Sequence, residues 1–198
     1  EQRDKLAGFL RDFIADDDAA GGQPVQKYMV LLQKVANRRA RVVDVELDDV
    51  YDAIGEDMCD AMRSNTKRYQ KLVAEAIDKV MPEPTSTDLG EEDIADVLIG
   101  TRSANTAEGT DSSSNDPSQQ VPAVLKRRYE VRILPRIKEK AVPLREVRAA
   151  NIGQLLTIKG IVTRVSEVKP NISVATYTCQ KGGFEIYQEV TGRSFMPL

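Results

Sequence analysis

The side chains with the most chemistry to offer in this chain are its cations, and they are unevenly spread. Residues 121–198 hold 14 Lys and Arg against 6 Asp and Glu, net +8, whereas residues 1–120 hold 14 against 25, net −11. A basic half of this kind is what an anionic polymer selects, because each neutralised phosphate releases condensed counterions. Lys126, Arg127, Arg128 and Arg132 form its densest cluster. That cluster suits a solvated or subunit-packing face as well as a phosphate contact.

What is missing narrows the chemistry further. The chain has no histidine, which excludes a Ser-His-Asp or Cys-His centre and histidine metal ligation. Two cysteines, Cys59 and Cys179, are too few for a disulfide framework and fit a reducing compartment. Neither a Gly-x-x-x-x-Gly-Lys nor a Gly-x-Gly-x-x-Gly phosphate loop occurs. No active site is legible. No apolar run approaches the roughly 18 to 20 residues that cross a bilayer, so no membrane partner is expected. A start at Glu1 and an end at Leu198 without flanking signals read as a fragment of a longer protein.

The elements that must position the cations follow from periodicity. Leu6, Phe9, Leu10, Phe13 and Ile14 share a helical face that should end near Asp16-Asp17-Asp18, with Gly21-Gly22 as a breaker. Pro24 is placed to open a second helix carrying Tyr28, Met29, Leu31, Leu32 and Val35. Residues 42–47 alternate and read as extended. A third helix is expected from Glu56 to Met81 and a fourth from Glu91 to Leu98. Cys59 in the third is most simply a small buried apolar residue.

Residues 101–121 have little to bury and read as a flexible linker. Beyond it, residues 124–131 suggest a helix or helix-to-strand passage, and strands then dominate: Val142–Val147, Leu155–Val165, Ile172–Thr178 and Phe184–Val190, the last two as a hairpin. Gly160, inside the longest of these, suggests a bulge or a bend of the kind that small barrels use at corners. The class is α+β. Its parts are a helical bundle over 1–100, the linker over 101–121, a β-rich basic portion over 122–170 and a hairpin over 171–198.

Particular residues name a family. The stretch Leu144-Arg145-Glu146-Val147-Arg148-Ala149-Ala150-Asn151-Ile152-Gly153-Gln154-Leu155-Leu156-Thr157-Ile158-Lys159-Gly160-Ile161-Val162-Thr163-Arg164-Val165 resembles the start of the N-terminal OB-fold of minichromosome maintenance (MCM) proteins, the replicative helicase subunits. Val174-Ala175-Thr176-Tyr177-Thr178-Cys179 and Phe195-Met196-Pro197-Leu198 support the resemblance, with weaker echoes at residues 43–50 and 68–72. It implies a helical A-type subdomain, an OB-fold β-barrel portion over 122–170, and an inserted zinc-ribbon-like β-hairpin over 171–198, incomplete and truncated at the C-terminus.

The resemblance also carries functional expectations. A parent protein of this family unwinds DNA with a C-terminal ATPase module that uses ATP and magnesium, in a nuclear hetero-hexamer of MCM subunits that meets single- and double-stranded DNA and loading and activating factors. Arg164 matches an OB-strand arginine that several subunits place against single-stranded DNA, and is the leading contact. Lys159 is a weaker one, since five residues of strict alternation put it on the opposite face unless Gly160 resets the parity. Cys179 stands where the family's first zinc ligand falls, but the Cys-x-x-Cys partner position is Gly182. A tetrahedral zinc takes four ligands and this chain supplies one plausible thiolate, so either the knuckle is degenerate or the hairpin departs locally from the family, and a second ligand pair would have to lie beyond Leu198. Two rival readings remain at this level: a stand-alone single-strand-binding OB protein, and an acidic protein-interaction scaffold without a direct DNA role.

Overall fold

The computed structural model describes residues 1–17, 23–85, 97, 100, 122–180, 185–190, 192 and 194–197. The chain divides into two units, Glu1–Leu89 with Tyr129–Arg164, and Gly90–Arg128 with Val165–Leu198. The linker expected over 101–121, Gly182, and all of the expected 91–98 helix except Val97 lie outside the described residues.

In the first unit, helix α1 (Gln2–Asp12) buries Leu6 and Leu10, which lie four apart and so on one face. It ends earlier than expected. Phe13 turns extended, and Ala15–Asp17 (β1) pairs antiparallel with Gln23–Val25 (β2) instead of continuing the helix. Pro24 therefore sits opposite Asp16 in a two-stranded ladder, where the missing N–H is tolerated at an edge, and helix α2 (Lys27–Ala36) begins beyond it.

Strand β3 (Val42–Glu46) is followed directly by helix α3 (Leu47–Ala53), an element the periodicity did not announce. The single helix expected over 56–81 is two: α4 (Glu56–Ser64) and α5 (Thr66–Val80), broken at Asn65. Side-chain hydroxyls account for the break. Ser64 Oγ donates to the Asp60 carbonyl, and Thr66 Oγ1 to the carbonyls of Met62 and Arg63 at 3.0 and 3.2 Å, local bonds of the kind that compete with a helical ladder.

The helices enclose a parallel strand pair. β4 (Glu130–Leu134) lies beside β3 with Val43 opposite Val131 and Val45 opposite Ile133. The sequence reading assigned 130–134 to the basic β-rich portion, and in the structure this strand belongs to the helical unit. Gln70 Nε2 of α5 donates to the Val131 carbonyl at 2.7 Å, and the Tyr129 hydroxyl donates to the Ala74 carbonyl at 3.0 Å. Leu6, Leu10, Tyr28, Leu32, Val43, Val45, Val50, Met62, Val73 and Ile77 form one core. Each such side chain contributes about 1.5–3 kcal/mol through burial.

The expected strand over 155–165 shrinks to Ile158–Lys159 (β6), paired in parallel with Val142–Pro143 (β5). The expected strand over 142–147 likewise gives way to a 3-10 turn at Leu144–Glu146. Alternation tells which residues would face a core, but a strand exists only where a neighbour takes up its backbone groups. Among the described residues, no strand pairs with 160–164. Gly160 marks the end of β6 and not a bulge within a longer strand: a Cβ there would come within 2.9 Å of Leu144 Cδ1. Among the described residues the strands pair two by two, without a closed barrel.

Among its described residues the second unit contains the helical turn Ala123–Lys126 and the hairpin of β7 (Val174–Thr178) with β8 (Glu185–Glu189), antiparallel from Val174 opposite Glu189 to Thr178 opposite Glu185.

Candidate nucleic-acid interface

The elements that carry the cations of the first unit are anchored by a set of polar contacts the sequence did not disclose. Asp48, in the first turn of α3, accepts the Ile137 backbone N–H at 2.8 Å and Arg136 Nε at 3.1 Å. The Arg136 guanidinium lies 3.9 Å from the centre of the Tyr51 ring, a cation–π stack. Arg63 Nη2 meets Glu139 Oε1 at 2.7 Å. The passage from β4 to β5 is thereby held against α3 and α4. The Ile137 N–H and the Arg136 guanidinium hold the Asp48 carboxyl below its ordinary range, the backbone bond being the larger cause.

A second set of contacts fixes the stretch before β6. The Gly153 carbonyl accepts from Thr66 N at 3.3 Å and the Arg63 carbonyl from Leu155 N at 2.9 Å, while Val142 N donates to the Thr157 carbonyl at 2.8 Å. Gly153 has φ +87°, a left-handed geometry that disfavours any side chain. These contacts set where β6 begins.

Lys159 emerges on β6 opposite Pro143, and Arg164 five residues on, where the backbone runs without a regular partner. Both side chains are exposed, and neither has an ion pair or hydrogen bond among the described residues. Opposite faces require one strand through 155–165, and the strand stops at Lys159. Alternation therefore no longer separates them. Other cations of the first unit are spent differently: Arg136 is engaged by Asp48, and Arg132 Nη2 lies 3.6 Å from Glu130. Lys126 is exposed on the helical turn of the other unit.

No pattern in the sequence announced the Asp48, Arg136 and Tyr51 arrangement. Asp48 and Arg136 stand 88 positions apart and meet only because β4 lies beside β3, the strand that leads straight into α3. Elsewhere in the unit, Lys27 Nζ donates to Glu46 at 2.8 Å and Asp49 at 2.7 Å, and the Tyr28 hydroxyl donates to Asp49 at 2.7 Å. Burial first and Asp49 second push the Tyr28 hydroxyl upward. Burial pulls the Lys27 ammonium down, but the carboxylates of Asp49 and Glu46 outweigh it and raise the group. This cluster ties α2, β3 and α3 together and is structural.

Cys59 is buried, with its thiol directed at the Leu47 carbonyl at 3.7 Å and pushed up by desolvation. Cys179 is exposed, one residue beyond the last pair of the β7–β8 ladder. A closed zinc site takes four nitrogen or sulfur ligands. The hairpin contributes a single thiol, position 182 is glycine and histidine is absent from the chain. No group of three or more His, Cys, Asp or Glu suited to a metal comes together among the described residues. The residues present do not fit a zinc.

Two family models cover almost the whole chain: the MCM N-terminal domain over residues 3–134 and the MCM OB domain over residues 143–197. The chain belongs to the MCM family. The strand β4 closes the range of the first model, and Lys159 and Arg164 fall in that of the second. Among its relatives, DNA replication licensing factor MCM7 of Oryza sativa subsp. indica is 45% identical over 95% of this chain, and that of Arabidopsis thaliana 44% over 96%. The Xenopus tropicalis MCM7 is 38% identical over all of it. The chain spans about a quarter of the length of these relatives, 26 to 27%, and resembles the N-terminal region of an MCM7 subunit. Its fold matches a crystal structure of the N-terminal domain of an archaeal MCM with TM-score 0.60 at 20% identity, over 99% of this chain and 61% of that one.

Proposed function

We propose that this MCM chain is the N-terminal DNA-binding and ring-assembly region of a replicative helicase subunit, acting in the initiation and elongation of DNA replication. The observation that carries the reading is the match of residues 143–197 to the MCM OB domain, a range in which Lys159 and Arg164 stand exposed and without partners among the described residues. OB-folds track a single strand with a basic groove and stack bases on exposed rings. Here the aromatic supply is thin, with no tryptophan in the chain, so electrostatics supply most of the affinity.

The helical unit packs against neighbouring MCM subunits in a hetero-hexameric ring. The β-rich portion faces the single- and double-stranded DNA that the ring encloses, with Arg164 the leading contact and Lys159 the weaker. ATP hydrolysis, with its magnesium, and duplex unwinding belong to the whole subunit in its complex; loading and activating factors are its further partners, and the nucleus its compartment.

Two experiments test this. Size-exclusion chromatography with the neighbouring MCM subunits should show co-elution, and fluorescence anisotropy with labelled oligothymidine should show weak binding by the chain alone and stronger binding by the ring. High affinity in the isolated chain together with no co-elution would favour a stand-alone single-strand-binding protein and overturn the assembly reading.

A further inference from the structure

We propose that the β7–β8 hairpin of this chain is held by protein contacts alone and takes no zinc, a cross-strand side-chain network standing in for the metal that the family resemblance implies. Of the Cys-x-x-Cys pair only Cys179 exists, and Gly182 has no side chain to coordinate with. With glycine in the partner position, the hairpin cannot form the two-thiolate knuckle that a structural zinc takes from such a pair.

The hairpin has cross-strand contacts instead. A two-stranded hairpin is marginal by itself in water, and in small metal-bound ribbons the ion supplies folding free energy outright. Here five residue pairs run from Val174 opposite Glu189 to Thr178 opposite Glu185, and Val190 N donates to the Ser173 carbonyl at 2.9 Å, extending the ladder away from the tip. Tyr177 and Gln188 lie diagonally across the pair, within reach of long side chains. The Tyr177 hydroxyl donates to Gln188 Oε1 at 2.9 Å, and Gln188 Nε2 donates to the Met196 carbonyl at 2.9 Å.

Gln188 is thus engaged at both ends of its amide. It joins β7, β8 and the segment after β8 in one network. On β8, the Tyr187 hydroxyl donates to Glu185 Oε2 at 2.8 Å, and the Tyr187 ring is buried. The strands are rich in Val, Thr, Ile and Tyr, which favour extended backbone. These bonds connect the parts a knuckle metal would otherwise have to hold.

The test uses the protein expressed at full length and equilibrated with zinc before desalting. Zinc is counted by inductively coupled plasma mass spectrometry, and amide hydrogen exchange is followed over residues 174–178 and 185–189 with and without EDTA. The expected results are substoichiometric zinc unaltered by Cys179→Ser, exchange indifferent to EDTA, and exchange accelerated several-fold in both strands by Gln188→Ala. Stoichiometric zinc that disappears with Cys179→Ser, or exchange accelerated by EDTA, would overturn the proposal. Exchange unmoved by Gln188→Ala would overturn the role of the network.

Discussion

Replacing Asp48 tests how the passage toward β5 and β6 is held. Asp48→Ala removes the acceptor of the Ile137 N–H and the partner of Arg136 in one step. A net hydrogen bond to a charged group is worth roughly 1.5–3 kcal/mol when well shielded. The Asp48 side chain keeps 27% of its surface exposed, which places the backbone bond at the low end, about 1.5 kcal/mol. The ion pair with Arg136 faces water and adds little. Asp48→Asn retains an oxygen for the Ile137 N–H but not the charge, and should lose about half as much.

The assay is urea unfolding at neutral pH, followed by far-UV circular dichroism and by tyrosine fluorescence, since the chain lacks tryptophan. With a slope of about 1–3 kcal/mol/M, Asp48→Ala should lower the midpoint by about 0.5 M without changing the slope. Amide exchange at Ile137 should rise in Asp48→Ala far more than in Asp48→Asn. An Asp48→Ala midpoint equal to that of the parent, or Asn and Ala variants that behave alike, would refute the assignment of the stabilisation to the backbone bond.

Other outcomes follow from the same geometry. Ile77→Ala, at a fully buried position of α5, should cost about 2–5 kcal/mol, read as a large fall in the urea midpoint. Gly153→Ala forces a side chain into the left-handed region and should cost about 1–2 kcal/mol; Gly160→Ala need only displace the mobile end of exposed Leu144 and should cost less, the two being compared by thermal melts. Acid should destabilise the helical unit. Asp48 and Asp4, the latter held low first by its bond to Lys79, have lower values folded than unfolded. Their contribution is fully present above the ordinary carboxylate value of 3.8 and is lost as pH falls through the folded values. With no histidine in the chain, stability should stay nearly flat between about pH 6 and 8, as urea midpoints across a pH series will show.

Periodicity and composition made part of this fold legible. The buried stripes of α1, α2 and α5, the extended stretch at 42–46 and the 174–189 hairpin all show in the order of residues, because local spacing alone decides which face is apolar. The break at Asn65 escaped that reading, since apolar residues on both sides keep the same helical spacing and only the hydroxyls of Ser64 and Thr66 mark it. The parallel pairing of β3 with β4 escaped it because partner choice between distant strands is a tertiary fact. The 155–165 stretch failed in the opposite direction. Its alternation is real, but among the described residues a neighbouring strand is found only for Ile158 and Lys159. For the candidate interface, sequence proposed Arg164 and Cys179 through the family resemblance and Lys159 through its place on the same expected strand. It was silent on Asp48, Arg136 and Glu139, which matter through whom they meet.

Single-stranded DNA affinity of the assembled MCM ring, carrying this subunit as wild type or as Arg164→Ala and measured across a salt series, tests the functional reading most directly. The substitution should weaken binding while leaving assembly intact, and should flatten the log–log salt dependence by about 0.7, one phosphate contact on a single strand. Identical affinity and identical slope in the two rings would contradict it.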